Sequence, residues 1–206
     1  MQAATLTLLG LIIGFTFSMA VSRYALRKSR EAEEANAIGT EYVRVGLLGT
    51  ADAAALRSRL KQYTDLQIRF YQTRDEAELE TINADTSHLQ SEMWAIVEAG
   101  VQRQQQTPVV ALAVSGMNDV LNSQAYTQAA FWNRIPESAW MLMLAIAVAA
   151  NLSMGYGAKT TRAGFVLPVV IAISLLLIAD IESPRRGFIH VRPQNLQSLS
   201  QSFLGQ

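Results

Sequence analysis

Three apolar stretches, near residues 3–21, 138–155 and 164–179, flank a polar block, and none of them carries an ionisable side chain before Asp180. Each approaches the ~20 residues that a helix needs to cross a ~30 Å hydrocarbon core. The layout predicts an all-α, polytopic membrane protein with three transmembrane helices and a helical cytoplasmic domain. The spans are placed at residues 1–22, 137–157 and 163–180, the domain at 23–136, and a cytoplasmic tail at 181–206. Membrane lipid is the first expected partner.

Composition removes several classes of function. The chain has no cysteine, so disulfide frameworks, thiolate metal sites and cysteine nucleophiles are excluded. Its two histidines, His88 and His190, stand far apart and give no pair at helical spacing with which to begin a zinc site. No metal, cofactor or catalytic residue is therefore predicted. The spans carry no paired aspartates, no histidine-rich metal motif and no serine with a base, so the chain does not read as an enzyme. Formal net charge is zero and the basic residues alternate with acidic ones, which argues against nucleic acid as a partner.

Ser18-Met19-Ala20 imitates the small-residue site that follows a secretory signal. No positive charge precedes the apolar run, however, and Arg23, Arg27, Lys28 and Arg30 follow it at once. That order is a stop-transfer pattern, so an uncleaved anchor is expected, with the N-terminus outside and the large domain cytoplasmic. Arg185, Arg186 and Arg192 in the tail agree with this orientation. Lys159 and Arg162, in the connection between the second and third spans, would then face outside.

The polar block reads as helical. Residues 23–47 continue the first span as one long helix, with Gly46 and Gly49 ending it. A second helix starts near Thr50 or Asp52 and carries Leu56, Leu60, Tyr63, Leu66 and Phe70 as a core face. The acidic segment from Arg74 to Asn83 reads as a polar stretch or an exposed helix, and another helix runs from Asp85 or Thr86 to about Arg103. Gln104 to Thr107 closes it, and Pro108 suits the first turn of a helix over 108–134. On that last helix Val110, Val114, Met117, Leu121 and Ala125 make one face. Ser115, Asn118, Asn122 and Tyr126 follow another, with Asp119 beside them. Such a polar stripe is either a solvated surface or the wall of a vestibule or pore.

Two stripes of small residues mark the spans: Gly10, Gly14 and Ser18 on the first, and Ala145, Ala149, Ser153 and Gly157 on the second. Stripes of this kind let helix backbones approach closely in lipid, within one subunit or between subunits. Thr16, Asn151 and Ser174 are the polar groups at membrane depth and are expected to hydrogen-bond in packing. Asp180, with Glu182, Arg185 and Arg186 behind it, is expected to order the exit of the third span.

The run Glu33-Glu34-Ala35-Asn36-Ala37-Ile38-Gly39-Thr40, with Tyr42 and Arg44 after the first span, resembles the opening of the bestrophin-like domain family of bacterial membrane proteins. Asn118-Asp119 followed by Arg134, Ile135, Pro136 and Trp140 is similar to that family's approach to its next span. The close, from Asp180 through Pro184, Gly187, Ile189 and Val191 to Leu196, extends the similarity over nearly the whole chain. The resemblance implies a helical protein of the bacterial inner (plasma) membrane, distantly related to pentameric anion channels. The acidic calcium-binding run of the true bestrophins has no counterpart here.

Ion pairs at helical spacing, such as Arg30 with Glu34, account for much of the acidic cluster behind the first span. In a symmetric homo-oligomer, Glu34 and Asn36 would instead form a ring below the membrane, and a carboxylate ring favours cations. The expectation is an oligomeric ion channel or channel-like pore, with inorganic ions as its passengers. Pore-lining candidates are Ser115, Asn118, Asn122, Glu34 and Asn36, and helix-packing candidates are Gly10, Gly14, Ser18, Ala145, Ala149 and Ser153. The alternative is a non-conducting scaffold or sensor that binds a protein through its cytoplasmic helices, with Tyr63 or Trp94 in the contact.

Overall fold

The computed structural model describes residues 2–104, 108–157 and 166–205, and every regular element among them is helical. α1 runs without a break over Gln2–Arg44. At 1.5 Å per residue it is roughly 65 Å long, about twice the hydrocarbon thickness, so only part of it can lie in lipid. A short 3₁₀ turn, Val45–Leu47, and the extended Leu48 close it. α2 then covers Thr50–Gln72, with Ala53 N donating to Gly49 O at 2.9 Å. The glycines thus lie where the chain was expected to turn.

α3 spans Glu76–Gln104 and so includes the acidic segment whose state composition left open. Local capping explains its early start. Asp75 Oδ1 accepts Ala77 N at 3.0 Å, and the Thr73 hydroxyl donates to Glu78 Oε2 at 2.6 Å. Ile82, Leu89, Met93 and Val97 then repeat at helical spacing on a buried face. α4 is Pro108–Trp132, and the connection at 105–107 lies outside the described residues. α5 is Glu137–Gly157, α6 is Val166–Glu182 and α7 is Gln194–Ser202. The expected start of the third span at 163, with Lys159 and Arg162, also lies outside the described residues.

The chain divides into two compact units. One comprises residues 1–25 and 132–190, and so holds the first part of α1 with α5 and α6. Its core has two layers. Leu9, Ala147, Ala150 and Ile171 form one, and Ala20, Ile135, Ile178 and Ile181 the other. Its outward side chains are equally apolar: Leu11, Phe15, Met141, Leu144, Leu152, Val169, Ile173 and Leu176 are all exposed. An apolar surface this extensive has no place in water. Two helical stretches, Leu6–Leu47 and Val110–Ser153, are long and apolar enough to cross a membrane.

The second unit comprises residues 26–131 and 191–206. Leu56, Leu60, Tyr63 and Phe70 of α2 are buried as expected, and Leu66 is half-buried beside the buried Gln67. Phe70, Tyr71 and Phe131 form a mutually edge-on aromatic cluster with centroids 5.2 to 5.6 Å apart. The tail does not remain one piece. Residues up to His190 belong to the first unit, whereas α7 packs in the second, with Leu196 buried and Phe203 stacked on Tyr42 at 4.2 Å.

Candidate functional site

α4 separates its faces sharply. Val110, Ala113, Met117, Val120 and Thr127 are buried, while Ser115, Asn118, Asp119, Asn122 and Tyr126 are exposed. The dry face is turned slightly from the one read in sequence, since Val114 and Leu121 are only half-buried and Ala125 is exposed. Small side chains at Ala113 and Gly116 bring the backbone of α4 close to its neighbours. A Cβ at residue 116 would collide with the Glu41 carboxylate and lie 3.0 Å from an Arg44 guanidinium nitrogen.

α1 carries a buried polar seam in this unit. Arg27, Glu31, Glu34, Ile38, Glu41 and Val45 repeat at spacings of four and three, and all are buried. Such a spacing keeps one edge of a helix against a partner. Glu31 accepts the backbone amides of Asn195 at 2.8 Å and Leu196 at 3.0 Å, anchoring the first turn of α7 by charge-assisted hydrogen bonds. Glu34 has no exposed surface. Its Oε2 accepts from Thr127 Oγ1 at 3.2 Å and from the Tyr71 hydroxyl at 3.4 Å, while Oε1 has no hydrogen-bond partner among the protein groups. Burial raises its pKa from 4.5 to about 8 against the opposing pull of those two hydrogen bonds. Burial likewise pushes the Tyr71 phenol up, which keeps it a donor.

Glu41, one heptad further on, is equally enclosed, and neither of its carboxyl oxygens meets a hydrogen-bond partner among the described residues. Burial lifts its pKa to about 8, with Arg44 lowering it and Asp119 raising it. Arg44 Nη1 stands 3.8 Å from Asp119 Oδ2. Sequence reading missed Glu41. Its signal was the four-three register that it shares with Ile38 and Val45, in which a carboxylate occupies a core position.

The predicted site residues therefore separate. Asn36, Ser115, Asn118 and Asn122 lie on exposed surface, and Glu34 faces Tyr71 and Thr127 of its own chain. Arg30 pairs with Glu33 and sits over the Tyr126 ring at 5.1 Å, so the expected Arg30–Glu34 pair does not form. Tyr63 is buried, with its hydroxyl accepting from Gln90 Nε2 at 3.3 Å. Trp94 is half-buried in an open groove with Ser87, Gln90, Ser91, Glu98 and Leu121.

In the first unit the small-residue stripes face away from the helices packed there. Gly10, Gly14, Ser18, Ala145, Ala149 and Ser153 are all exposed, and a Cβ at Gly10 or Gly14 would meet nothing within 4 Å. Thr16, Asn151 and Ser174 each donate to the carbonyl four residues back, at 2.8 Å. Asp180 orders the exit of α6 by accepting the amides of Phe188 at 2.7 Å and Ile189 at 2.9 Å. Glu182 accepts Ile135 N at 3.0 Å and pairs with Arg23 at 3.2 Å. Among the described residues, no group of three or more His, Cys, Asp or Glu side chains is placed to hold a metal ion.

A helical chain with one unit apolar inside and out, and another built on a polar seam, belongs to the membrane class of proteins. Residues 3–196 match the bestrophin-like domain, and the chain belongs to the bestrophin-like family. Its fold is similar to that of a mutant bacterial bestrophin homologue from Klebsiella pneumoniae. The two share 13% sequence identity at a TM-score of 0.75, over 100% of this chain and 87% of the other. No curated protein matches the chain significantly.

Proposed function

We propose that the protein is a homo-oligomeric ion channel or channel-like pore of the bacterial inner membrane. It crosses the membrane with three helices and holds the unit built on α2, α3 and α4 in the cytoplasm. The observation that carries this reading is the outer face of α4, where Ser115, Asn118 and Asn122 expose uncharged polar groups opposite a dry packing face. In a closed ring of subunits that face lines a hydrated path. The open stripes of Gly10, Gly14 and Ser18 and of Ala145, Ala149 and Ser153 are the surfaces on which neighbouring subunits approach. Membership of the bestrophin-like family supports the channel reading.

Because Glu34 is enclosed within its own chain and the Asp119 carboxylate beside the stripe is paired with Arg44, the uncharged Asn and Ser groups set the character of the path. Weak discrimination among small ions is the consequence. The test begins with particle mass and symmetry of the purified protein, followed by ion flux in liposomes. A closed ring of about four or more subunits whose flux changes with Asn118→Asp supports the reading. Absence of flux, beside a working control channel, overturns it. A monomer or dimer encloses no central path and directs attention to the scaffold reading, with the Trp94 groove as the surface to examine.

A further inference from the structure

We propose that the contact between α1 and α4 is a proton-operated latch, in which Glu34 and Glu41 are packed as neutral acids and loosen the two helices when they ionise. The geometry points to this in three ways. Both side chains have no exposed surface, and three of their four carboxyl oxygens find no hydrogen-bond partner among the described residues. A neutral carboxyl tolerates that setting far better than a carboxylate does, since an ion without donors in a dry contact keeps nearly its whole desolvation penalty. Both also meet α4, Glu41 at the glycine 116 backbone and Glu34 at the Thr127 hydroxyl, so ionisation at either point drives the same pair of helices apart.

Among the surrounding charges Arg44 favours the ionised form of Glu41, but burial outweighs it. Glu34 faces Glu31 from its own helix, Tyr63 and Tyr71 from α2 and Thr127 from α4, a set with one like charge and two phenols that burial keeps neutral. Glu41 faces Arg44 from its own helix and Asp119 from α4, and Arg44 is shared with Asp119 at 3.8 Å. Burial places the ionisation of both acids near pH 8, which makes the latch responsive just above neutrality. Ser115, Asn118 and Asn122 ride on the same helix, so under the pore reading the latch would also move the pore wall; the latch itself stands without that reading.

The chain's lack of cysteine gives a clean test. Ala113, buried one turn before Gly116, is replaced by cysteine in the full-length protein in liposomes, and its labelling by a small thiol reagent is followed across pH. Rates are corrected for thiol ionisation with Ala129→Cys, which lies exposed on the same helix. Infrared spectroscopy reads the protonated carboxyl band of the parent and of the Glu34→Gln and Glu41→Gln variants.

The latch requires the band to shrink as pH rises past 8 in the parent and to be diminished at neutral pH in each variant. It also requires the corrected labelling rate to climb about ten-fold per pH unit before levelling off, where opening follows a single deprotonation. With both glutamines present the climb disappears. A band that does not change with pH overturns the proposal, and so does a band that changes while corrected labelling stays flat. Should Ala113→Cys not fold, Met117→Cys on the same buried face reads the same quantity.

Discussion

The two units differ in how far polar side chains join the apolar ones that they bury. The unit holding α5 and α6 is apolar through most of its interior, at Leu9, Ala147, Ala150, Ile171 and Ile178, with Glu182 buried at the end of α6, and it is apolar again on its surface. Where it carries polar groups deep in its helices, at Thr16, Asn151 and Ser174, they bond to their own helix and leave the packing faces alone. The unit holding α2, α3 and α4 encloses Arg27, Glu31, Glu34, Glu41, Thr64, Gln67, Thr86 and Thr127. Lipid gives every register of an apolar helix a similar free energy, so there the discrimination must come from shape. In the second unit a polar seam supplies it, because each misregister strands a charged group.

The comparison breaks most visibly at the aromatic cluster. Phe131→Ala removes a ring packed on Phe70 at 5.2 Å and on Tyr71 at 5.5 Å. A loss of about 3–5 kcal/mol is expected. Leu144→Ala, at a position 60% exposed, should change stability by no more than about 0.5 kcal/mol. Denaturant unfolding in a mild detergent, followed by near-UV signals, measures both. Equal losses would mean that the division into a packed interior and a lipid-facing surface is wrong.

The seam predicts a pH dependence of stability. Glu34 and Glu41 rise from 4.5 to about 8 on burial, so between those values the folded chain holds protons that the unfolded chain has released. Stability from these groups is fully present below the unfolded value and declines as pH climbs through the folded one. The decline amounts to roughly a few kcal/mol for each group as an upper bound. Denaturant midpoints taken between about pH 6 and about pH 9 should fall in the parent and flatten in the Glu34→Gln and Glu41→Gln variants. A midpoint that rises with pH would reverse the assignment of these two as buried neutral acids.

A smaller effect belongs to Glu31. Glu31→Ala leaves the amides of Asn195 and Leu196 without their acceptor, a cost of about 1–3 kcal/mol concentrated on α7. Limited proteolysis should cut the last turns of the chain faster, while the core of α2 and α3 stays resistant. Phe203, held by its stack on Tyr42 and by Lys61 Nζ donating to its carbonyl at 2.7 Å, should loosen with it. If the tail stays protected, the aromatic stack and not the Glu31 anchor is what holds it.

Sequence showed the broad plan because hydropathy and breaker residues act locally. The apolar runs, the glycines after α1, Pro108 at the start of α4 and the stripe of Leu56, Leu60, Tyr63 and Phe70 all declare themselves within one or two turns. The seam stayed hidden because a glutamate at a core position looks, in one dimension, like a glutamate on a surface. Only the register it shares with Ile38 and Val45 separates Glu34 and Glu41 from the exposed Glu33. α7 escaped for a different reason. Its helix is short and polar, and it depends on a carboxylate 164 residues away for its first turn.

The smallest effect on the single chain tests the other side of the comparison. Gly14→Leu and Ala149→Leu place bulk on faces that the fold leaves open, and nothing lies within 4 Å of a Cβ at Gly14. Stability of the single chain should therefore shift by only about 0.5 kcal/mol. If those faces are where neighbouring subunits approach, the same changes separate the helix backbones and remove the close van der Waals packing on which association in lipid depends. Particle mass measured after detergent extraction should then fall toward that of one chain for both variants, while Leu144→Ala keeps the parent's mass. A particle mass unchanged by Gly14→Leu and Ala149→Leu together would leave the small-residue stripes with no part in association.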